Sequence, residues 1–155
     1  MKKEEVLRAF IKEKQEKIQQ LESALRKAEK EWEELPKVRS GDCDPERYRL
    51  QDQICSLREQ LQRAQEGLQA VLVIPSMKQG QKISLGSLVT IKHCGNGESQ
   101  IYLLISREGG CRIRLGEKEI VSISTQAPLA QAIINKTKGE KMFFLGQRYK
   151  IVEVG

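Results

Sequence analysis

Two apolar stripes with heptad spacing dominate the first half of the chain and limit its fold more than any other feature. The steps between apolar residues alternate between three and four in both stripes, with Lys14 as the one polar interruption, which we interpret as a solvated or snorkelling break. Such spacing is the seam of a coiled coil. The first stripe comprises Leu7, Ile11, Ile18, Leu21, Leu25, Ala28, Trp32 and Leu35, and the second comprises Leu50, Ile54, Leu57, Leu61, Ala64, Leu68 and Val71.

The segment between the two stripes has the residues that end one helix and begin another. Pro36 ends the first helix, and Gly41 permits a turn. Asp44 followed by Pro45 is typical of an N-cap and a first helical residue. Because the connection is short and the stripes match, the helices are expected to fold back antiparallel over residues 1–74. At ~1.5 Å per residue, each would be about 40–50 Å long.

After residue 74 the apolar period changes to short runs of the β type separated by glycine turns. One helical stretch, Pro128–Lys136, has proline in its first turn. The sequence therefore predicts an α+β fold, in which an N-terminal antiparallel coiled-coil helical hairpin precedes a small β-rich domain with one short helix at residues 75–155. The predicted strands are Leu88–His93, Gln100–Ser106, Cys111–Leu115, Glu119–Ser124, Lys141–Leu145 and Arg148–Val154.

The net charge of +6 is unevenly distributed along the chain. Residues 1–74 carry 15 basic and 15 acidic side chains, whereas residues 75–155 carry 12 and 6. A basic domain indicates an acidic protein surface or nucleic acid as partner, or a soluble protein with a positive surface. Since 39% of the residues are hydrophobic, the chain is too apolar to be disordered, and no apolar run has the length of a membrane span. We expect a cytoplasmic protein that does not enter a membrane.

The four cysteines form no C-x-x-C pair, so the sequence favours free cytosolic thiols over a structural zinc site. The alternative is a zinc site in which His93, Cys94 and Cys111 are ligands on adjacent strands.

An ordered set of residues near the C-terminus resembles the motif of Gre-type (GreA/GreB) bacterial transcript cleavage and transcription elongation factors. In that family a strand with I-S leads to S-P-[LI], a short apolar helix and a G-D or G-E pair before the last strands. The matching residues are Ile123, Ser124, Pro128, Leu129, Ala130, Ile133, Ile134, Lys136, Gly139 and Glu140, and Tyr149–Val154 is similar to the last strand.

The resemblance covers nearly the whole chain and implies both a fold and a partner. It implies an FKBP-like C-terminal domain that docks on the β′ subunit of bacterial RNA polymerase, at the rim of the secondary channel. The hairpin of a monomer would then extend to the nascent RNA 3′ end. Such a factor is not itself an enzyme and has no intrinsic cofactor, since the Mg²⁺ belongs to the polymerase active site. The implied docking residues are Ser124, Ala127, Pro128, Leu129 and Lys136.

The hairpin tip, near residues 41–46, departs from the family pattern. Family members have a loop of the form G-D-x-x-E-N-x-x-Y, whose Asp and Glu are needed to stimulate cleavage. This chain has Gly41-Asp-Cys-Asp-Pro-Glu-Arg-Tyr48, which is one residue shorter and lacks the Asn. Asp42 takes the Asp position when the loops are aligned on Gly41, and Asp44 takes the Glu position when they are aligned on Tyr48.

Carboxylates at this tip suit one kind of chemistry. Delivered from outside, they can retain a loosely held second Mg²⁺ and orient the attacking water in two-metal phosphodiester hydrolysis. The candidates are Asp42, Asp44 and Glu46, while nearby basic side chains are candidates for contacts with RNA phosphates, namely Lys37, Arg39, Arg47 and Arg49. The plainer interpretation is that Asp44 is an N-cap and that Glu46 favours the helix dipole.

Three other functions remain alternatives. One is a Gre-related regulator that occupies the channel without cleavage activity, as an inhibitor or a modulator of initiation. Another is a coiled-coil adaptor or scaffold, for which the heptads alone would suffice. An FKBP-like fold also raises prolyl isomerase activity, which needs an aromatic-lined pocket. We disfavour the isomerase because the C-terminal half has four Tyr and Phe residues, some of which must lie in its core.

Overall fold

The fold was analysed in a computed structural model, which describes residues 2–37, 43–77 and 80–155. It begins with two long helices, α1 (Lys3–Glu34) and α2 (Pro45–Leu72), followed by a 3₁₀ turn at Ile74–Ser76. Every residue of the two predicted stripes is buried or half-buried. The antiparallel helical hairpin is thereby confirmed, and its 32-residue first helix is ~48 Å long. None of the described helices is long and apolar enough to cross a membrane.

The β-rich part is one six-stranded sheet with the strand order β3-β4-β2-β1-β6-β5. Strands β2 and β4 are parallel, and the other neighbours are antiparallel. The short helix α3 (Pro128–Ile133) follows β4 and ends three residues earlier than the sequence predicts. The α+β prediction is therefore confirmed. The strands are β1 (Leu88–His93), β2 (Ser99–Ile105), β3 (Arg112–Leu115), β4 (Lys118–Ser124), β5 (Lys141–Phe144) and β6 (Gln147–Val154).

Each side of the sheet has its own hydrophobic core. On one side, strand residues such as Leu103 and Ile120 pack with Val6, Phe10 and Val71 from the base of the hairpin. On the other side, a second core includes Ile133 of α3 together with side chains of β1, β2, β5 and β6. The first core spans both parts of the chain, so the hairpin base and the sheet are packed as one unit. The predicted boundary at residues 74–75 therefore marks where the helical part of the sequence ends, and it does not separate two independent cores.

The loop after β2 fastens the hairpin to the sheet. The Lys14 ammonium donates a hydrogen bond to the Glu108 carbonyl over 3.2 Å, and Arg107 forms an ion pair with Glu66 at 3.6 Å. The Lys14 side chain passes over Gly67, where an added Cβ would lie 3.0 Å from Nζ. The sequence analysis interprets Lys14 as a solvated or snorkelling break, and the structure adds that its ammonium makes an exposed hydrogen bond to a loop carbonyl. Above Lys14, about 20 residues of α1 rise a further ~30 Å toward the tip.

Candidate functional site

The tip of the hairpin is organised around the first turn of α2. Asp44 is the N-cap, and its Oδ1 accepts a hydrogen bond of 3.0 Å from the backbone N–H of Glu46. Pro45 occupies the first helical position, where its missing N–H costs nothing. The capping role proposed for Asp44 is therefore confirmed, and it uses one of the two carboxylate oxygens.

Arg47 ties the beginning of α2 to the end of α1. One guanidinium nitrogen donates to the carbonyls of Leu35 and Pro36 at 3.2 and 2.8 Å. The guanidinium carbon lies 5.2 Å from the centroid of the Trp32 ring, which is a cation–π distance. Its Nε is buried without a hydrogen bond and faces Asp44 Oδ2 at 3.7 Å. Arg47 is thus a clamp across the tip, a role that the sequence analysis did not assign to it.

Glu46 and Arg49 form an exposed pair on the outer face of α2. Glu46 Oε1 lies 2.5 Å from Nη2 of Arg49. The other terminal nitrogen of Arg49, Nη1, donates a hydrogen bond to Gln53 Oε1 over 3.3 Å. The hydrogen bond from Arg49 holds the pKa of Glu46 below its usual value. Both side chains remain open to solvent, and such a pair is easily exchanged for another partner.

The structure thus brings together four of the predicted tip residues. Asp44 and Arg47 contact each other, and Glu46 contacts Arg49. Lys37 is exposed, while the predicted Asp42 and Arg39 lie outside the described residues. Within the described ranges, no group of three His, Cys, Asp or Glu side chains is placed to hold a metal ion. In the described part of the tip, Asp44 and Glu46 are each balanced by one arginine.

We expect the Arg47→Met variant to loosen the tip. Methionine keeps the approximate length of the side chain but removes the charged donors to two carbonyls. Losing such hydrogen bonds typically lowers stability by about 1–3 kcal/mol. Amide exchange should therefore be faster in the first turn of α2, including at Tyr48, whose N–H bonds the Asp44 carbonyl. Hydrogen exchange read by mass spectrometry measures this. Arg49→Met is the matched control, because that arginine is exposed, and equal exchange in both variants would contradict the clamp.

The predicted docking residues lie around the connection from β4 to α3. The Ser124 hydroxyl accepts from the Gln126 N–H and donates to the Ser106 carbonyl, at 3.3 and 3.4 Å. Gly109 packs against this connection so closely that an added Cβ would lie 2.4 Å from the Ser124 nitrogen. Ala127 is the N-cap residue of α3, and Pro128 is exposed at its first position. Four of the five predicted residues therefore lie within one six-residue segment whose backbone is held by hydrogen bonds.

Lys136 lies beyond the other end of α3. Its backbone carbonyl accepts a hydrogen bond of 2.8 Å from Ile83, which fixes the segment after the helix. Hydrogen bonds from Thr137, together with the charges of Lys136 and Lys82, lower the pKa of Glu140. The helix therefore separates this lysine from the other four predicted docking residues.

A cleft of about 550 Å³ opens beside α3 and is the feature of this region that the sequence analysis missed. Leu129 lines it together with the aromatic rings of Tyr102, Phe144 and Tyr149. Burial raises the pKa of Tyr102. The three aromatic residues come from three strands, and only the sheet register puts them on the same side. The alternation of residues within each strand was visible in the sequence. It does not give the order of the strands, so it could not show that these three rings lie together.

His93 lines the same cleft with both ring nitrogens occupied. Its Nδ1 accepts hydrogen bonds from the N–H groups of Gly95 and Asn96, each at 3.0 Å. The proton of the neutral ring is therefore on Nε2, which donates to Gln147 Oε1 over 2.9 Å. The ring also packs edge-on against Tyr149, with centroids 5.1 Å apart. His93 is therefore held as a structural residue of the cleft wall.

The order of the strands excludes the zinc site that was the alternative for His93, Cys94 and Cys111. His93 and Cys94 are at the end of β1, whereas Cys111 precedes β3, and both β4 and β2 lie between those strands. The four cysteines are free, as the sequence analysis favoured.

Comparisons with known proteins place the chain near few others. No protein-family model matches it, and no curated protein matches it. It is similar to the solved structure of GreA factor homolog 1 (Gfh1) of Thermus thermophilus, with 16% identity, 95% of each chain covered and a TM-score of 0.37. It is also similar to the prokaryotic transcription elongation factor GreA/GreB from Nitrosomonas europaea, with 20% identity, 84% of this chain and 91% of that chain covered, and a TM-score of 0.37. At TM-scores this low, the function has to be argued from the residues of the chain itself.

Proposed function

We propose that this protein is an accessory factor of bacterial RNA polymerase that stimulates the cleavage of backtracked RNA. In this proposal the β-rich domain docks on the β′ subunit at the rim of the secondary channel, and the hairpin reaches through the channel to the nascent RNA 3′ end. The protein acts in the cytoplasm as a monomer, and the polymerase provides the Mg²⁺ and the active site.

The shape of the hairpin is the observation that carries the proposal. Its base is fixed to the sheet by a shared core and by Lys14, and the remaining ~30 Å extends to a tip with charged side chains. Most of such a rod is surface, which a protein keeps only if the tip has to reach a distant site. The resemblance of the segment from Ile123 to Glu140 to the Gre motif supports polymerase as the partner.

The chemistry proposed for the tip is the retention of a metal ion and the orientation of water. Asp42 and Asp44 would hold the second Mg²⁺ of the polymerase near the scissile phosphodiester, with Glu46 in support. Asp44 fits this role in part, since Oδ1 is used by the N-cap bond and Oδ2 faces Arg47 at 3.7 Å without a hydrogen bond. Glu46 has to leave Arg49, and this exchange is easy because both side chains of the pair are open to solvent.

A second candidate function has support from the same contacts. Asp44 and Glu46 both have arginine partners within the chain, and the loop is one residue shorter than in the Gre pattern. A tip balanced in this way suits a regulator that occupies the channel without stimulating cleavage. The scaffold alternative has less support, because both apolar stripes are already used within the described hairpin. Light scattering on the purified protein distinguishes a monomeric hairpin from a dimeric scaffold.

The test of the proposed function is a cleavage assay on a stalled elongation complex from the same organism. We expect the wild-type protein to shorten the backtracked RNA in a Mg²⁺-dependent manner. Binding without cleavage at any Mg²⁺ concentration would replace this proposal with the regulator that occupies the channel. No binding of the full chain to polymerase at low salt would contradict both.

We expect Lys136→Gln to weaken binding to polymerase by up to about five-fold at low salt and to make the salt dependence shallower. A charge at the rim of an interface contributes mainly through screened electrostatics, on the order of 1 kcal/mol or less. Glutamine is preferable to glutamate here, because a new carboxylate would repel Glu140. The full chain has to be used, since residues 75–155 alone would expose the core that Phe10 covers.

Lys118→Gln is the matched control for this measurement. It removes the same charge from the sheet domain at an exposed position on β4, away from α3. Equal affinities for the two variants, over a titration of salt, would remove Lys136 from the proposed docking surface.

A further inference from the structure

Three lysines are aligned across neighbouring strands on the side of the sheet that faces the hairpin. Lys92 of β1 pairs with Lys150 of β6, and Lys150 pairs with Lys141 of β5. Directly paired residues point to the same side of a sheet, and neighbouring strands are ~4.8 Å apart. The three ammonium groups therefore form a row that spans three strands, and all three side chains are exposed.

This row has no acidic partner in the part of the chain that the structure describes. No ion pair among the described residues includes any of the three lysines. Two acidic side chains belong to the same region: Glu140 bonds Thr137, and Glu153 pairs with Thr90, beyond the β-bulge. Like charges placed directly opposite each other destabilise a sheet. The arrangement is therefore unfavourable unless an anion binds to it.

An exposed aromatic ring lies in the next row on the same side. Phe143 of β5 pairs with Arg148 of β6, and each is two residues from a lysine of the row, so all five side chains share one side. The Phe143 side chain is 67% exposed, which is unusual for a phenylalanine on a strand. We call these five residues the basic face, comprising Lys92, Lys141, Phe143, Arg148 and Lys150.

The opposite side of the same strands is packed in the second core and fixes the basic face. Met142, Ile151 and Ile91 alternate with its members along the same strands and are buried in the second core. The base of the hairpin covers the same side of the sheet near Leu88 and Leu103, but it does not bury the members of the basic face. The chain therefore presents a fixed set of cations around one aromatic ring.

We propose that the basic face binds single-stranded nucleic acid, with the lysines and Arg148 on the phosphates and Phe143 stacked on a base. Rows of cations along a sheet with an exposed aromatic ring are suited to unpaired bases, because each base has a face free to stack. An acidic protein is the other partner that would satisfy the cations, and the test below includes it as an outcome. The proposal does not depend on polymerase, so it is tested with the isolated protein.

The test is the fluorescence anisotropy of a labelled, unstructured RNA of about 12 nucleotides, a length within the usual footprint of such surfaces. Replacing Lys92, Lys141 and Lys150 together by glutamine should lower affinity at least ~30-fold at low salt. It should also reduce the slope of log affinity against log salt by about 2, at ~0.7 per phosphate. Phe143→Ala should lower affinity about 5- to 100-fold by the loss of stacking.

A matched control removes the same charge from the hairpin, by replacing Lys17, Lys27 and Lys30 of α1 with glutamine. These lysines are exposed, so the variant should bind RNA nearly as well as the wild type. A loss equal to that of the sheet variant would overturn the proposal in favour of unspecific attraction by net charge. Equal binding of duplex RNA, or an unchanged affinity of the Phe143→Ala variant, would overturn it as well. Tighter binding of polyglutamate than of RNA would instead indicate an acidic protein partner.

Discussion

Replacing Phe10 by alanine is expected to lower the free energy of unfolding by about 3–5 kcal/mol, the usual cost of removing a buried phenylalanine ring. Phe10 is fully buried between the hairpin base and the sheet, together with Val6 and Val71. Because the core spans both parts of the chain, the cavity should weaken the hairpin and the sheet together. Most single substitutions cost less than this, so the effect should be easy to resolve.

Urea unfolding, followed by two signals, measures this prediction. Far-ultraviolet circular dichroism reports mainly the helices, and the single tryptophan, Trp32, reports the tip of the hairpin. Phe143→Ala is the control, because it makes the same truncation at an exposed position and should change stability by about 0.5 kcal/mol or less. A cost below about 1 kcal/mol for Phe10→Ala would mean that the hairpin base contributes little to the packing of the sheet.

The second large effect is expected at the tip. If the protein stimulates RNA cleavage, changing Asp42 and Asp44 together to asparagine should reduce the stimulation at least ~10²-fold, since an oriented metal ligand contributes several kcal/mol to the transition state. Asparagine is also a good N-cap, so the bond from the Glu46 N–H to residue 44 should persist. Affinity for polymerase should change little, because the proposed docking residues lie in the sheet domain and not at the tip.

The controls for this experiment separate the chemistry from folding and charge. Asp44→Ala should cost about 1 kcal/mol in stability through the lost cap, whereas Asp44→Asn should not. Asp52→Asn together with Glu31→Gln removes two exposed carboxylates elsewhere on the hairpin and should leave cleavage intact. Full stimulation by the double asparagine variant would assign the chemistry to other residues.

The tip also shows why site residues are harder to predict than helices. Asp44, Arg47 and Arg49 were all proposed to contact ligands outside the chain, and each has a partner within it. The Asp44 cap was predicted as well, because capping depends on neighbouring residues alone. The Arg47 clamp was not, since its acceptors are the carbonyls of Leu35 and Pro36, which only the folded hairpin brings near. The outside roles of these residues stay predictions.

The sequence by itself determined the elements and their order. The prolines at 36 and 45 place the end of α1 and the beginning of α2 to within about two residues, because periodicity and capping are local properties. Alternation between glycine turns likewise gave all six strands. None of this depends on which strand lies beside which.

Only the tertiary structure decided how these elements meet. Val6 and Phe10 lie off the heptad stripe, and their burial depends on a sheet that begins some 80 residues later. The cleft that includes Tyr102 and the basic face around Lys150 both arise from the order β2-β1-β6-β5, which joins the last strands to the first. Local patterns contain no information about such pairings, because the pairings are set by long-range packing of the two cores.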